Sequence, residues 1–129
     1  MRSIDAMSSA VIEAAIGGHR DLGPSLFETV YETVLAGRLD RAGWLVERQV
    51  AVPLTLDDHH FDGAFRVDIL VERRLVGEIT AVERLTGVHA RQVLTYLRLL
   101  KQPVGLLMNF SGGTMKEAIR RLVNDYRPD

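Results

Sequence analysis

Apolar and polar positions along the chain follow a helical period first and a strand period afterwards. Met7, Val11, Ala14 or Ala15, and Gly18 recur at helical spacing, with Ile4 one turn earlier and Ser3 as the expected N-cap. The breaker-rich turn DLGPS ends that helix. Phe27, Val30, Tyr31, Val34 and Leu39 form the apolar stripe of a second helix. Ser25 and Glu28 read as its capping box, and Gly43 as its C-terminal stop. From Trp44 the period becomes two. Val46, Val50 and Val52 alternate with polar residues, and Leu54 and Leu56 continue beyond Pro53, a residue that implies an edge or an irregularity. DDHHFDG reads as a hairpin turn. In the next strand Phe65, Val67, Ile69 and Val71 share one face, and Arg66, Asp68 and Leu70 the other. After ERR, a third strand LVGEITAV puts Glu78 and Thr80 on one face with Val76 and Val82. Ala90, Val93, Leu94, Leu97 and Leu100 predict a third helix, and VGLLMNF a strand buried on both faces. Thr114 and Glu117 fit a capping box for a last helix holding Met115, Ile119, Leu122, Val123 and Tyr126. The predicted order is α-α-β-β-β-α-β-α, an α/β fold in which a mixed four-stranded sheet is flanked by helices.

At 129 residues the chain has the size of one domain, 1–129, with enough length for a core that needs no staples. It contains no cysteine, which removes disulfides, thiolate nucleophiles and cysteine metal sites. No apolar run is long enough to span a bilayer, and MRSIDAMSSA lacks the apolar stretch of a secretion signal. A cytoplasmic location is expected. The net charge of −1 means that any basic surface is local. Arginine supplies nearly all the cations, and the only lysines are Lys101 and Lys116.

Candidate chemistry centres on FRVDILVERRLVGEITAVE. Two strands joined by a tight turn carry one acid each, Asp68 and Glu78, and alternation sets Thr80 beside Glu78. A hard divalent cation such as Mg²⁺ takes oxygen ligands of this kind, often one or two carboxylates completed by water and phosphate. Acids on the solvent face of a strand are also common, and the pair by itself is compatible with a solvated surface. The capping box alone accounts for Glu28, and a core position alone accounts for Tyr31. Gln92 and Tyr96 lie one helical turn apart and form a surface pair able to meet a phosphate or a carboxylate. His89 stands at a helix start, where it can cap the helix or meet an anion. The cluster Asp57, Asp58, His59, His60 and Asp62 reads as a solvated turn, because adjacent strand residues point to opposite faces. Gly-rich phosphate loops, nucleophile elbows and dinucleotide fingerprints are absent from the sequence.

The stretches HRDLGPSLFETVYETVL, RAGWLVERQVAVPL, FRVDILVE, GEITAVERLTGVHARQVLTYLRLL and GLLMNF, in that order, resemble the GxxExxY proteins of the PD-(D/E)XK nuclease-like superfamily. The resemblance runs from about Val11 to Val123 and implies a restriction-endonuclease-like core. By it, Glu28 and Tyr31 match the Glu and Tyr of the family name, Asp68 the metal-binding acid, and Glu78 the acid of the E-x-K half. Gln92 and Tyr96 match a Q-x-x-x-Y helix lining the same cleft. The implied catalytic set is Glu28, Asp68, Glu78, Thr80, Gln92 and Tyr96, with Asp68, Glu78 and Glu28 around Mg²⁺, for which Mn²⁺ can substitute. Two positions depart. Ser25 replaces the naming glycine, and Thr80 replaces the motif lysine. Threonine supplies no positive charge, and Lys101, Lys116, Arg84 and Arg91 are the cations considered for that role. The resemblance implies a nuclease-like domain with a degenerate site that acts in nucleic-acid or protein binding. The alternative is an active Mg²⁺-dependent phosphodiesterase with a relocated basic residue. Nucleic acid is a candidate partner, and a homodimer is expected by analogy.

Overall fold

The computed structural model describes residues 2–113, 115 and 118–125. Among these described residues three helices and five strands follow one another as α1 (Ile4–Leu22), α2 (Glu28–Arg41), β1 (Val46–Leu56), β2 (His59–Val71), β3 (Leu75–Thr80), α3 (Gly87–Leu100), β4 (Val104–Asn109) and β5 (Ile119–Val123). They form one mixed sheet in the order β1-β2-β3-β4-β5. The β3–β4 pair is parallel and connected through α3; every other pair is antiparallel. α1 and α2 cover one face and α3 the other. Each helix layer has its own core, one around Tyr31, Leu35, Ile69, Leu106 and Phe110, the other around Val67, Val76, Val93, Leu97 and Leu107. This is the α/β sheet-and-helix architecture expected from the pattern, with five strands in place of four. Among the described residues no helix is long and apolar enough to cross a membrane.

Several local predictions hold. Ser3 caps α1 by accepting from the Ala6 N–H at 3.0 Å. The hairpin turn expected over DDHHFDG is present but narrower: Asp57 and Asp58, both with positive φ, make a two-residue turn, and HHFDG already belongs to β2. All six residues of β4 are buried. Pro53 does break the ladder, for lack of an N–H to donate: the register shifts between Val52 and Leu54. The shift has a functional consequence. An unbroken ladder continued from Leu54–Phe61 would bring Glu47 opposite Asp68, whereas the shifted one brings Gln49, between the pairs Arg48–Ile69 and Val50–Val67.

Four expectations are corrected. The predicted last helix is not formed over Ile119–Val123, which pair antiparallel with Val104–Met108 as strand β5. Ile119 and Leu122 are three apart and mimic a helical stripe, but the free edge of β4 needs backbone partners, and an edge strand with exposed Arg120 and Arg121 supplies them. Thr114, Glu117 and Tyr126 lie outside the described residues. Secondly, the buried stripe of α2 is Tyr31, Leu35 and Leu39, while Phe27 is 87% exposed. Phe27 occupies the extended N-cap position and so lies off the helical face. Thirdly, Ser25 caps nothing. It sits in the turn with φ +74°, a left-handed conformation that glycine adopts freely and serine does not. Fourthly, Phe65 and Val67 pack against α3, but Ile69 and Val71 pack against α1 and α2. The strand pair changes faces at Asp68, where Gln49 across from it has φ +52° and interrupts the pleat.

The turn between α1 and α2 is held by Tyr31. Its ring stacks on Phe110 at 4.6 Å, and its hydroxyl donates to the Gly23 carbonyl at 2.6 Å while accepting from the Leu26 N–H at 3.1 Å. With the turn so anchored, Ser25 cannot relax its backbone. Ser25→Gly is therefore expected to stabilise the protein by roughly 0.5–1 kcal/mol, seen as a higher urea midpoint with an unchanged slope.

Candidate active site

The acids sit where two strands separate. β2 and β3 pair only as far as Ile69–Gly77. The next position of that register is Asp68 opposite Glu78, and here side chains replace the ladder. Asp68 accepts from the Ile79 N–H at 2.8 Å, and Glu78 accepts from the Asp68 N–H at 3.1 Å. Two amides left over by the fork are thus satisfied by carboxylates, as buried backbone donors must be. Gly77 sets how closely the strands approach just before they part. A Cβ there would lie 2.5 Å from Ile69 Cγ1, so only glycine fits under the facing isoleucine.

The electrostatics follow from this packing. Burial, then the nearby Asp68 carboxylate, push Glu78 up to about 9. At neutral pH Glu78 therefore keeps its proton. Among the described residues neither acid forms an ion pair. Tyr96, on the α3 side, has its hydroxyl raised by burial and by the Glu78 charge, with neighbouring Gln92 acting in the opposite direction. The Tyr96 ring stacks on Phe65 at 4.2 Å. Thr80 follows Glu78 on β3, half-buried. Its carbonyl accepts from the Phe110 N–H, and its hydroxyl lies 3.5 Å from the Met108 carbonyl, at the limit of a hydrogen bond.

Three residues not singled out by sequence complete the neighbourhood. Glu32 is 5% exposed, pairs with the Arg48 guanidinium at 2.9 Å, and accepts from the Gln49 amide at 2.7 Å. The same Gln49 amide nitrogen reaches Asp68 Oδ1 at 3.2 Å. One neutral side chain thus links the α2 acid to the fork acid. A sequence signal for Glu32 did exist, in that it lies one helical turn after Glu28 on the same face. Gln49 had none, because its place opposite Asp68 depends on the register shift at Pro53. Glu28, Glu32, Arg48, Gln49 and Asp68 line a cleft of about 400 Å³, on which exposed Glu28 forms part of the rim.

The fork brings Asp68 and Glu78 into direct contact, with Tyr96 near Glu78, Gln92 next to Tyr96, and Glu28 in the cleft of Asp68. Tyr31 serves the turn between α1 and α2. His89 closes the capping box of α3 with Thr86. Among the described residues no three His, Asp or Glu side chains converge tightly enough to hold an ion unaided, in the fork or in the hairpin cluster around His59 and His60. Two adjacent carboxylates are hard oxygen donors that suit a divalent cation whose remaining positions go to water or phosphate. A cation there would also supply the charge that Glu78 now obtains from a proton.

A family model described as the PD-(D/E)XK nuclease superfamily matches residues 5–122. No curated protein and no solved structure matches the chain.

The raised Glu78 has a signed effect on stability. The folded protein holds a proton that the unfolded chain releases near the ordinary carboxylate value of 4.5. Stability is thus greatest below that value and declines as pH rises towards about 9. Glu78→Gln, a neutral isostere of the protonated acid, removes the decline. The variant is expected to melt higher than the wild type at pH 8, by on the order of 5 °C, and nearly level with it at pH 4. Calorimetry across that pH range checks both.

Proposed function

Because the chain belongs to the PD-(D/E)XK nuclease superfamily, we propose that it is a nuclease-like domain with weak or lost cleavage, acting mainly by binding. The observation that carries this reading is Thr80. The position two residues past the fork glutamate holds a neutral hydroxyl directed at the β4 backbone, and no ion pair reaches Asp68 or Glu78 among the described residues. Preorganised positive charge at a phosphoryl centre is usually the largest catalytic contribution, and removing one such group costs on the order of 10²–10³-fold in rate.

Nucleases of this superfamily generally use divalent metals. Here Asp68 and Glu78 are the residues that would hold one, with Glu28 and Glu32 near enough to orient bound water. The ion would supply electrostatic stabilisation to a phosphate oxygen. The chain's own residues would do the rest: Gln49 keeps Asp68 oriented, Gln92 and Tyr96 present hydrogen-bonding groups on the α3 side, and Phe65 under Tyr96 keeps water from that wall. Within the superfamily we assign the chain to the GxxExxY group on Glu28, Tyr31, Gln92 and Tyr96, and with it we expect a homodimer.

A second reading, an active Mg²⁺-dependent phosphodiesterase using Asp68 and Glu78, is favoured by Arg48, whose guanidinium lines the cleft and is 38% exposed. Its pairing with Glu32 weighs against it, because the charge is already balanced.

Titration calorimetry with Mn²⁺, together with cleavage assays on single-stranded, duplex and branched DNA and on RNA, separates the two. The expected result is Mn²⁺ binding that strengthens from pH 6 to pH 8, as Glu78 gives up its proton, and is lost in Asp68→Ala. Wild-type cleavage should stay near background, and Thr80→Lys should raise it by about 10². Strong wild-type cleavage abolished by Asp68→Ala would instead establish the second reading.

A further inference from the structure

We propose that Arg84 and Arg120 form a phosphate-binding site for a nucleic-acid strand that passes the acid fork. The proposal rests on the nucleic-acid part of the functional reading above. Both arginines line one open cavity of about 310 Å³ at the C-terminal ends of β3 and β4, together with Asn109 and the Gly112–Gly113 turn. The carboxyl ends of parallel strands are where open α/β sheets place their ligands. The arginines come from different elements, the segment after β3 and the edge strand β5, and both are exposed. No acidic residue is among the described lining residues. A local positive site on a chain of net charge −1 is suited to an anion, and two guanidiniums at one cavity suit phosphate oxygens.

Its frame is rigid, which distinguishes it from scattered surface arginines. Asn109, 7% exposed, clamps the segment carrying Arg84: its amide donates to the Val82 carbonyl at 2.9 Å and its oxygen accepts from the Val82 N–H at 3.1 Å. Ser111 donates to the same Val82 carbonyl, and the Ser111 N–H donates to Asn109 Oδ1. The Asn109 N–H in turn donates to the Ala118 carbonyl, just before Arg120. One buried side chain and its backbone therefore fix both arginine-bearing segments relative to each other.

The register relates this site to the fork. Glu78 pairs with Leu107, and Leu107 with Arg120. Paired residues share a face, so Glu78 and Arg120 lie in one row on the α3 side, two strand spacings or roughly 10 Å apart at the backbone. That is a span of a few nucleotides, so a strand with one phosphate at the fork would bring a neighbouring phosphate within reach of Arg120 and Arg84.

Fluorescence anisotropy with a labelled single-stranded DNA oligonucleotide, and with an RNA of the same sequence, tests this in EDTA. Without divalent metal the result is independent of whether Asp68 and Glu78 hold an ion. The wild type is expected to bind with affinity that falls with salt. Arg84→Gln combined with Arg120→Gln should weaken binding about tenfold and flatten the log–log salt slope by roughly 1.4, the share of two phosphate contacts on a single strand. The control removes the same charge elsewhere, as Arg73→Gln with Arg98→Gln, and should bind like the wild type. Circular dichroism confirms that both doubles are folded, and the single variants, each about threefold weaker, stand in if the double is not. Equal weakening by both doubles, an unchanged affinity and slope in the Arg84/Arg120 double, or no oligonucleotide binding by the wild type would overturn the proposal.

Discussion

Two backbone amides and two carboxylates govern the geometry of this protein. Where β2 and β3 part, the amides of Asp68 and Ile79 lose the strand partners that a continued ladder would give them, and the side chains of Glu78 and Asp68 take over. The exchange terminates a ladder in the middle of a sheet without leaving an unpaired donor. It also presses two acids together in a half-buried place, which raises Glu78 and keeps its proton on at neutral pH. The change of faces in β2, the close approach at Gly77 and the left-handed Gln49 all accommodate this one junction.

The fork is coupled to α2 through Gln49. Its amide nitrogen donates to Glu32 and to Asp68, while Arg48 next to it neutralises Glu32. Two consecutive residues of an edge strand thus manage two acids in different ways. Arginine balances the buried glutamate with charge, and glutamine restrains the fork aspartate with a hydrogen bond from a neutral amide.

Elements whose signals are local could be read from sequence. Ser3, the Asp57–Asp58 turn, the Pro53 irregularity, the apolar run of β4 and the acids at Asp68 and Glu78 each depend on neighbours a few residues away. What could not be read depends on partners far along the chain. Ile119 and Leu122 have helical spacing and become a strand only because β4 offers an open edge. Glu32 looks like part of a polar face until Arg48 and Gln49 from β1 close over it. Val67 and Ile69 satisfy a perfect alternation, yet they serve opposite cores because of a backbone angle in another strand. Ser25 fitted a capping box, and the turn anchored by Tyr31 gave it a different backbone.

Thr80 differs from its two acidic neighbours in what the fold asks of it. Asp68 and Glu78 each hold a main-chain amide, so replacing either opens the sheet as well as emptying the site. The Thr80 hydroxyl makes only a marginal contact, and the structural duty at that position falls to its carbonyl, which any residue provides. Selection for folding alone would thus keep the acids and release position 80. In chains built on this fork, a surviving acid pair records the architecture, and the residue at position 80 records the chemistry.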